Sequence, residues 1–430
     1  MQLVEQHIIC KTDERFKPLD KALFKSKNLY NATLYQVRQC FVNNNSYLSY
    51  ATLQRIFQEQ NQFDYRQLPT KVAQQTMKLV DQNMRAFFRA CKAYKENKQK
   101  FTGRPKLPKY LHKTNGRCVL TYTSQAISKK ALDTEHVILL SGLDVKVKTN
   151  LTYDKINQVR VVPKLDRIIV EVVYSTPDVE KLPDNNKYAS IDLGLNNLAT
   201  VVSNVEGFRP FIISGKPLKA VNHYFNKRKA QLQSDLSVCN GNQKSSNAIR
   251  RLCNTRINKL KDYMHKASRL VVNQLVSADI HTLVIGKNNG WKQDITLGKV
   301  NNQNFVQIPF EQFLQMLEYK CASVGISVVR VNESHTSKCS FLDGEEVCHH
   351  DSYVGRRVKR GLFRCANGRL INADVNGAYN ILRKCKPNAF VNGADGVMGF
   401  LVIPQVLIAT DVARKPSKRR IREFHRISLF

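Results

Sequence analysis

Three short, almost unbroken apolar runs, at 189–203, 282–285 and 326–331, constrain this chain more than any other feature. A strand covered on both faces needs no polar alternation, so each run reads as a buried strand. A hairpin partner for the first is predicted at 208–213. Between the runs lie a basic helix pair at 222–278, broken near 239–244, and a helix at 309–324 with Phe310, Phe313, Leu314, Leu317 and Cys321 inward. Strands alternating with helices predict an α/β layer whose sheet is largely covered. The first run breaks its own rule at Asp192, inside Tyr188-Ala189-Ser190-Ile191-Asp192-Leu193-Gly194-Leu195. A bare charge in a buried strand is costly, so Asp192 is either bonded to backbone amides or part of a charged site.

The N-terminal half follows other periods. Residues 2–10 read as a strand, and Leu23, Tyr30, Leu34, Val37 and Phe41 recur at the spacing of one buried helix face. A second helix from about residue 68 carries Val72, Leu79, Val80, Phe87, Cys91 and Tyr94 on its stripe, with Lys92, Lys95, Lys98 and Lys100 gathered at its end. Pro105 and Pro108 end helical structure, and a domain boundary is expected at 103–110. From 118 to 173 β-branched runs predict a small antiparallel β module, closed by a linker at 177–187.

Charge narrows the partner. The 430 residues hold 68 Lys and Arg against 34 Asp and Glu, a formal +34. Cations set against phosphates release counterions and give sequence-independent affinity, so a nucleic acid is the expected partner. No apolar run reaches the ~18 residues of a membrane span, and the N-terminus has acids inside its only apolar patch, so neither a membrane segment nor a signal peptide is expected. The 11 cysteines are odd in number and contain no CxxC, which fits reduced thiols better than a disulfide framework.

Asp374 opens a predicted helix at 372–381, where a first-turn acid is ordinary. Beside Asp192 at one sheet edge it gains another use, because carboxylates hold Mg²⁺ and two such ions clamp both oxygens of an in-line phosphoryl displacement. A third acid is offered by Glu333, just past the strand at 326–331.

At these residues the chain resembles the TnpB family of transposon-encoded RNA-guided nucleases, relatives of type V CRISPR effectors and of Fanzors. The resemblance runs through Ser26-Lys27-Asn28-Leu29-Tyr30-Asn31, the segment 103–110, Ile191-Asp192-Leu193-Gly194-Leu195, Gln307-Ile308-Pro309-Phe310, Thr336-Ser337-Lys338-Cys339-Ser340 and Ala373-Asp374-Val375-Asn376. It implies an α/β fold: a RuvC-like, RNase H-type mixed sheet with a small β-barrel wedge module and an inserted helical recognition module. The expected organisation is a wedge at 1–10 and 104–180, recognition helices at 11–103, nuclease at 184–335 and 371–413, a degenerate zinc-ribbon-like insert at 336–370, and a basic tail at 414–430. It further implies a guide RNA from the transposon end, double-stranded target DNA, no membrane partner, and two Mg²⁺ held by Asp192, Glu333 and Asp374. Phosphodiester hydrolysis is the expected reaction. The alternatives are a nuclease-dead RNA-guided DNA-binding repressor and a transposase acting directly on transposon ends. The expected place is the cytoplasm at the nucleoid in a prokaryote, or the nucleus in a eukaryotic or viral setting.

Two departures from the family qualify this. The family's usual second acid falls at position 286, which is Gly here, so that role passes to Glu333, as in a rearranged subset of the family. The family's paired CxxC motifs survive only as Cys339 and Cys365; a degenerate ribbon is expected, with Cys339, Cys348, His349 and Cys365 as the ligands if zinc binds. Arg104, Lys106, Lys109, Lys287, Lys292 and Lys338 are assigned to nucleic acid, and Trp291 either stacks on a base or anchors its loop.

Overall fold

Alternating burial along 167–175 places Ile168, Val170 and Val172 on one face, and a sheet forms there. The computed structural model describes residues 1–44, 46–239, 245–288, 306–390 and 404–409. It divides into two units, Met1–Pro177 and Asp178–Phe430. The first holds β1 (Gln2–Cys10), α1 (Phe16–Asn44), α2 (Tyr50–Glu59), α3 (Phe63–Arg66), α4 (Thr70–Glu96), β2 (Leu120–Thr123), α5 (Lys129–Glu135), β3 (Val137–Leu139), β4 (Lys146–Lys148), β5 (Ile156–Pro163) and β6 (Arg167–Ser175). Strands order β1-β6-β5-β2, all antiparallel, with Gln2 opposite Ser175 and Cys10 opposite Arg167. Leu19, Leu23 and Leu34 of α1, Val72 and Val80 of α4, and Leu120, Val159 and Val170 of the sheet share one core.

The α4 stripe departs from expectation in its second half. Its buried residues are Val72, Ala73, Thr76, Met77, Val80 and Met84, while Phe87, Cys91 and Tyr94 are only half-buried. The helix outruns the sheet it packs on, and Tyr94 meets Phe101 edge-on instead, ring centroids 5.6 Å apart.

The second unit holds β7 (Tyr188–Leu193), β8 (Asn197–Ser203), β9 (Phe211–Ser214), α6 (Lys216–Cys239), α7 (Asn247–Ser277), β10 (Thr282–Gly286), α8 (Phe310–Ala322), β11 (Ser327–Val331), β12 (Arg356–Lys359), β13 (Leu362–Arg364), β14 (Leu370–Asn372), α9 (Ala373–Cys385) and β15 (Gln405–Leu407). The run at 189–203 is two antiparallel strands rather than one, folded back at 194–196. The main sheet is mixed, in the order β11-β10-β7-β8-β9-β15: β10 lies parallel to β7 and β11, and β15 to β9, while β7, β8 and β9 are antiparallel.

Period-2 alternation then assigns faces. Ala189, Ile191, Leu193, Leu283 and Ile285 point into a core with α7 and α8. Tyr188 and Val284 point the other way, onto Ile381 and Leu382 of α9, and Ser190 donates its hydroxyl to the Ala378 carbonyl at 2.6 Å. Asp192 therefore shares the α9 face. Between β11 and α9, the three-stranded sheet β12-β13-β14 rests on Phe341, Phe363, Cys365 and Ile371, and Phe341 stacks on Tyr379 at 4.5 Å. Among the described residues no helix is long and apolar enough to cross a membrane.

Phe313 is fully buried and Phe63 is 72% exposed. Phe313→Ala should cost about 3–5 kcal/mol and Phe63→Ala less than about 0.5 kcal/mol, read by urea denaturation; equal losses would contradict this packing.

Candidate active site

Three separate elements deliver the three acids. Asp192 is the single half-buried residue of β7. Asp374 is the second residue of α9, where the N-cap Asn372 accepts from the backbone N–H groups of Asp374 at 3.0 Å and Val375 at 3.2 Å. A first-turn carboxylate there meets the positive end of the helix. Glu333 lies two residues beyond β11, its N–H donating to Asn288 Oδ1 at 3.1 Å and its carbonyl accepting from the Thr336 hydroxyl at 2.8 Å.

Two glycines let the elements close. A Cβ at Gly377 would sit 3.0 Å from Asp192 Oδ2, so the missing side chain lets α9 approach β7. A Cβ at Gly286 would stand 2.4 Å from Ile381 Cδ1 and 3.1 Å from Glu333 Oε2. The Glu333 carboxylate thus lies against the end of β10, beside the position from which an acid at 286 would project.

Electrostatics ties Asp192 to the other two acids. Burial, then the charges of Glu333 and Asp374, pushes the Asp192 carboxyl well above the usual carboxylate range, while Arg357 and the Leu193 N–H draw it down. Burial also raises Glu333. Arg357 of β12 pairs with Asp374 Oδ1 at 3.5 Å, and the Asn197 amide donates to Asp374 Oδ2. Sequence reasoning missed Asn197, Asn288 and Arg357. Asn197 stands two residues past the quoted Asp192 motif, whereas Arg357 gave no signal beyond its charge.

As they stand, the acids fall short of a coordination shell: among the described residues no group of three or more His, Cys, Asp or Glu side chains is arranged to hold a metal ion. Their chemistry still suits one. Carboxylate oxygens gathered against their own repulsion, one of them with strongly raised proton affinity, are hard ligands of the kind Mg²⁺ takes. The residues offered for zinc differ, because three of them are engaged in other contacts. Cys339 Sγ meets the Cys348 carbonyl at 3.6 Å, Cys348 Sγ meets His350 Nε2 at 3.3 Å, and the His349 ring packs edge-on against His335. Burial keeps Cys339 and Cys365 in the thiol form. The expected set of Cys339, Cys348, His349 and Cys365 is not brought together.

The cations assigned to nucleic acid are scattered. Arg104, Lys106 and Lys109 are exposed along the irregular segment after α4. Lys287 is half-buried and paired with Glu311, which also holds Arg330 at 3.0 Å. Lys338 is exposed, its ammonium 5.5 Å from the centre of the Tyr353 ring. Trp291, Lys292 and the tail at 414–430 lie outside the described residues.

Fold and site together define a mixed-sheet α/β protein with a carboxylate cluster where β7, β10, β11 and α9 meet. Residues 171–292 match the family model OrfB_IS605, described as "Probable transposase", and residues 310–381 match the "Cas12f1-like, TNB domain". The chain is 30% identical over 228 residues to the TnpB-like protein ORF457 of Acidianus two-tailed virus, a match covering 51% of this chain and 46% of that protein. It is 28% identical over 224 residues to the CRISPR-associated endodeoxyribonuclease Cas12f2 of a Micrarchaeota archaeon, covering 48% and 39%. The chain thus spans less than half the length of these two relatives. A cryo-EM structure of a Cas12f1-sgRNA-target DNA complex superposes with a TM-score of 0.51 at 15% identity, over 85% of this chain and 81% of that one, which marks a shared fold. These matches bear out the resemblance to the TnpB family.

The raised Asp192 has a consequence for stability. An acid whose folded pKa exceeds its unfolded value of about 3.9 takes up protons on folding, so its contribution is greatest below that value and is lost as pH rises through the folded value. At pH 7–8 in chelator, Asp192→Asn should therefore raise the unfolding midpoint, and the gain should shrink toward pH 4. No gain at pH 8 would mean that Asp192 is not held against its neighbours' charge.

Proposed function

We propose that this chain is an RNA-guided DNA endonuclease of the TnpB type, cutting double-stranded DNA under the direction of a guide RNA from the transposon end. The observation that carries the reading is the trio of Asp192, Glu333 and Asp374, drawn from three elements onto the α9 side of one mixed sheet. The +34 charge and the endodeoxyribonuclease named among the relatives support it.

In this reading the second unit is the RuvC-like nuclease with its degenerate insert. The first serves as wedge (1–10 and 104–180) and recognition helices (11–103). The three acids would hold Mg²⁺, which when bound supplies charge neutralisation and an activated water. The chain's own groups act around them. Asn197 fixes the Asp374 carboxylate, and Asn288 holds the backbone that presents Glu333. Arg357, half-exposed on the wholly exposed strand β12, offers its guanidinium to a non-bridging phosphate oxygen. Sequence choice is left to base pairing, while the protein holds the heteroduplex by shape and charge. Such a protein works wherever the DNA is, at the nucleoid or on a viral genome.

Asp192→Ala and Glu333→Gln should each abolish Mg²⁺-dependent cutting while copurifying RNA is retained, and the exposed Glu346, as Glu346→Gln, should cut at the parent rate. Asn197→Ala should lower metal affinity or cutting by about 10–100-fold. An active Glu333→Gln would remove Glu333 from the site.

The packing at Gly286 provides a sharper test. Glu333→Ala should be inactive, and adding Gly286→Asp should return measurable cutting, because a carboxylate from β10 reaches the space that Glu333 Oε2 borders. The atoms nearest to its Cβ are the flexible end of Ile381 and the carboxylate being removed. A dead double variant with an intact fold would contradict the placement.

A further inference from the structure

The first unit contains an open cavity of about 510 Å³ between α1, α4 and the segment that follows α4. Ala86 and Ala90, four residues apart on α4 and therefore on one helix face, line it. Phe87 and Phe101 add two aromatic rings to the lining, with Pro105 and Pro108 beside them. Phe87 lies where the α4 stripe has left the core, with its ring 5.5 Å from that of Phe88, and Phe101 meets Tyr94 edge-on, so each keeps one ring partner and still lines the cavity.

Two lining residues are bonded to each other, Asn83 Nδ2 donating to Tyr30 Oη at 3.0 Å. That bond leaves the Tyr30 O–H as a donor and Asn83 Oδ1 as an acceptor, side by side. Burial holds Tyr30 as the phenol. Lys106 and Lys109 stand exposed at the rim with Arg104 beside them, and no acid lines the cavity.

The outer wall is fixed in place. Asn31 exchanges two hydrogen bonds with Leu111, 2.9 Å each way, and the Arg38 guanidinium lies 4.9 Å over the Tyr110 ring. The two prolines restrict the segment further.

Two aromatic rings, small apolar side chains, a paired donor and acceptor and two lysines without an acid match one chemical class, a nucleotide with its base on the rings and its phosphate on the lysines. The volume falls within the ~300–1,000 Å³ typical of small-ligand sites. We propose that this cavity captures a single unpaired nucleotide of a bound strand, its base against Phe87 and Phe101, its edge toward Tyr30 and Asn83, and its phosphate on Lys106 and Lys109. The inference rests on nucleic acid being the partner and is independent of the acid trio.

The probes are single-stranded 12-mers carrying one 5-iodouridine, as RNA or as DNA, offered to the full chain stripped of bound nucleic acid by high salt. Irradiation should attach the probe to Phe87, Phe101 or Tyr30, as read by mass spectrometry, and the stronger of the two arms identifies the strand type. Ala90→Trp fills the cavity and should weaken binding about 5- to 100-fold, whereas Val276→Trp, at an exposed position of α7 that does not line the cavity, should not. Lys106→Ala with Lys109→Ala should lower the salt slope of binding by about one to two. Probe binding without any adduct at the three aromatics, with Ala90→Trp as tight as the parent, overturns the pocket alone. A parent chain that binds neither probe overturns the nucleic-acid reading and the pocket with it.

Discussion

Repulsion among three carboxylates on one side of a sheet is the constraint to which the second unit is built. Each acid alone would be an ordinary polar residue at a strand, a turn or a helix start. Burial raises the proton affinity of Asp192 and the charges of Glu333 and Asp374 add to it, and the surrounding residues are those that let the three approach. Gly377 permits α9 to approach β7 where a methyl group would crowd Asp192, although glycine inside a helix costs about 1 kcal/mol relative to alanine. Ser190 ties the same strand to α9 by a buried hydroxyl. Asn197, Asn372 and Asn288 hold backbone or carboxylate atoms without adding charge.

The end of β10 shows how the third acid is brought to the site. With glycine at 286, Ile381 of α9 packs against the strand end, and the carboxylate comes from the neighbouring parallel strand. Gly286 pairs in register with Val331, so two further residues along the chain suffice to bring Glu333 beside it. An acid can therefore change strand without the sheet changing, because parallel neighbours end side by side.

Much of this was legible in the chain because periodicity is local. The runs at 282–285 and 326–331 became β10 and β11, and an aspartate at an even position between apolar odd ones had to share a face with Tyr188 and Ser190. The fold-back at 194–196 was not read, since the apolar residues resume directly after it. The outward drift of α4 after Met84 was equally invisible, because the length of the sheet beneath it is a tertiary fact. Arg357 and Asn197 reach Asp374 from 17 and 177 residues away in sequence, which no spacing rule addresses. Lys287 was assigned to nucleic acid by its charge, but Glu311 in the first turn of α8 holds it. The four residues offered for zinc lie close in the chain, yet three of their side chains turn to other partners.

A cation that enters the site competes with protons for Asp192, whose proton affinity burial and the charges of Glu333 and Asp374 raise. Calorimetric titration of Mn²⁺ into the full chain at pH 7.5, repeated in buffers of different ionisation enthalpy, counts those protons directly. Binding with proton release in the parent, and loss of both in Asp192→Asn, is the expected result. Equal binding and equal proton release in the two proteins would mean that the carboxylates do not form a common cation site.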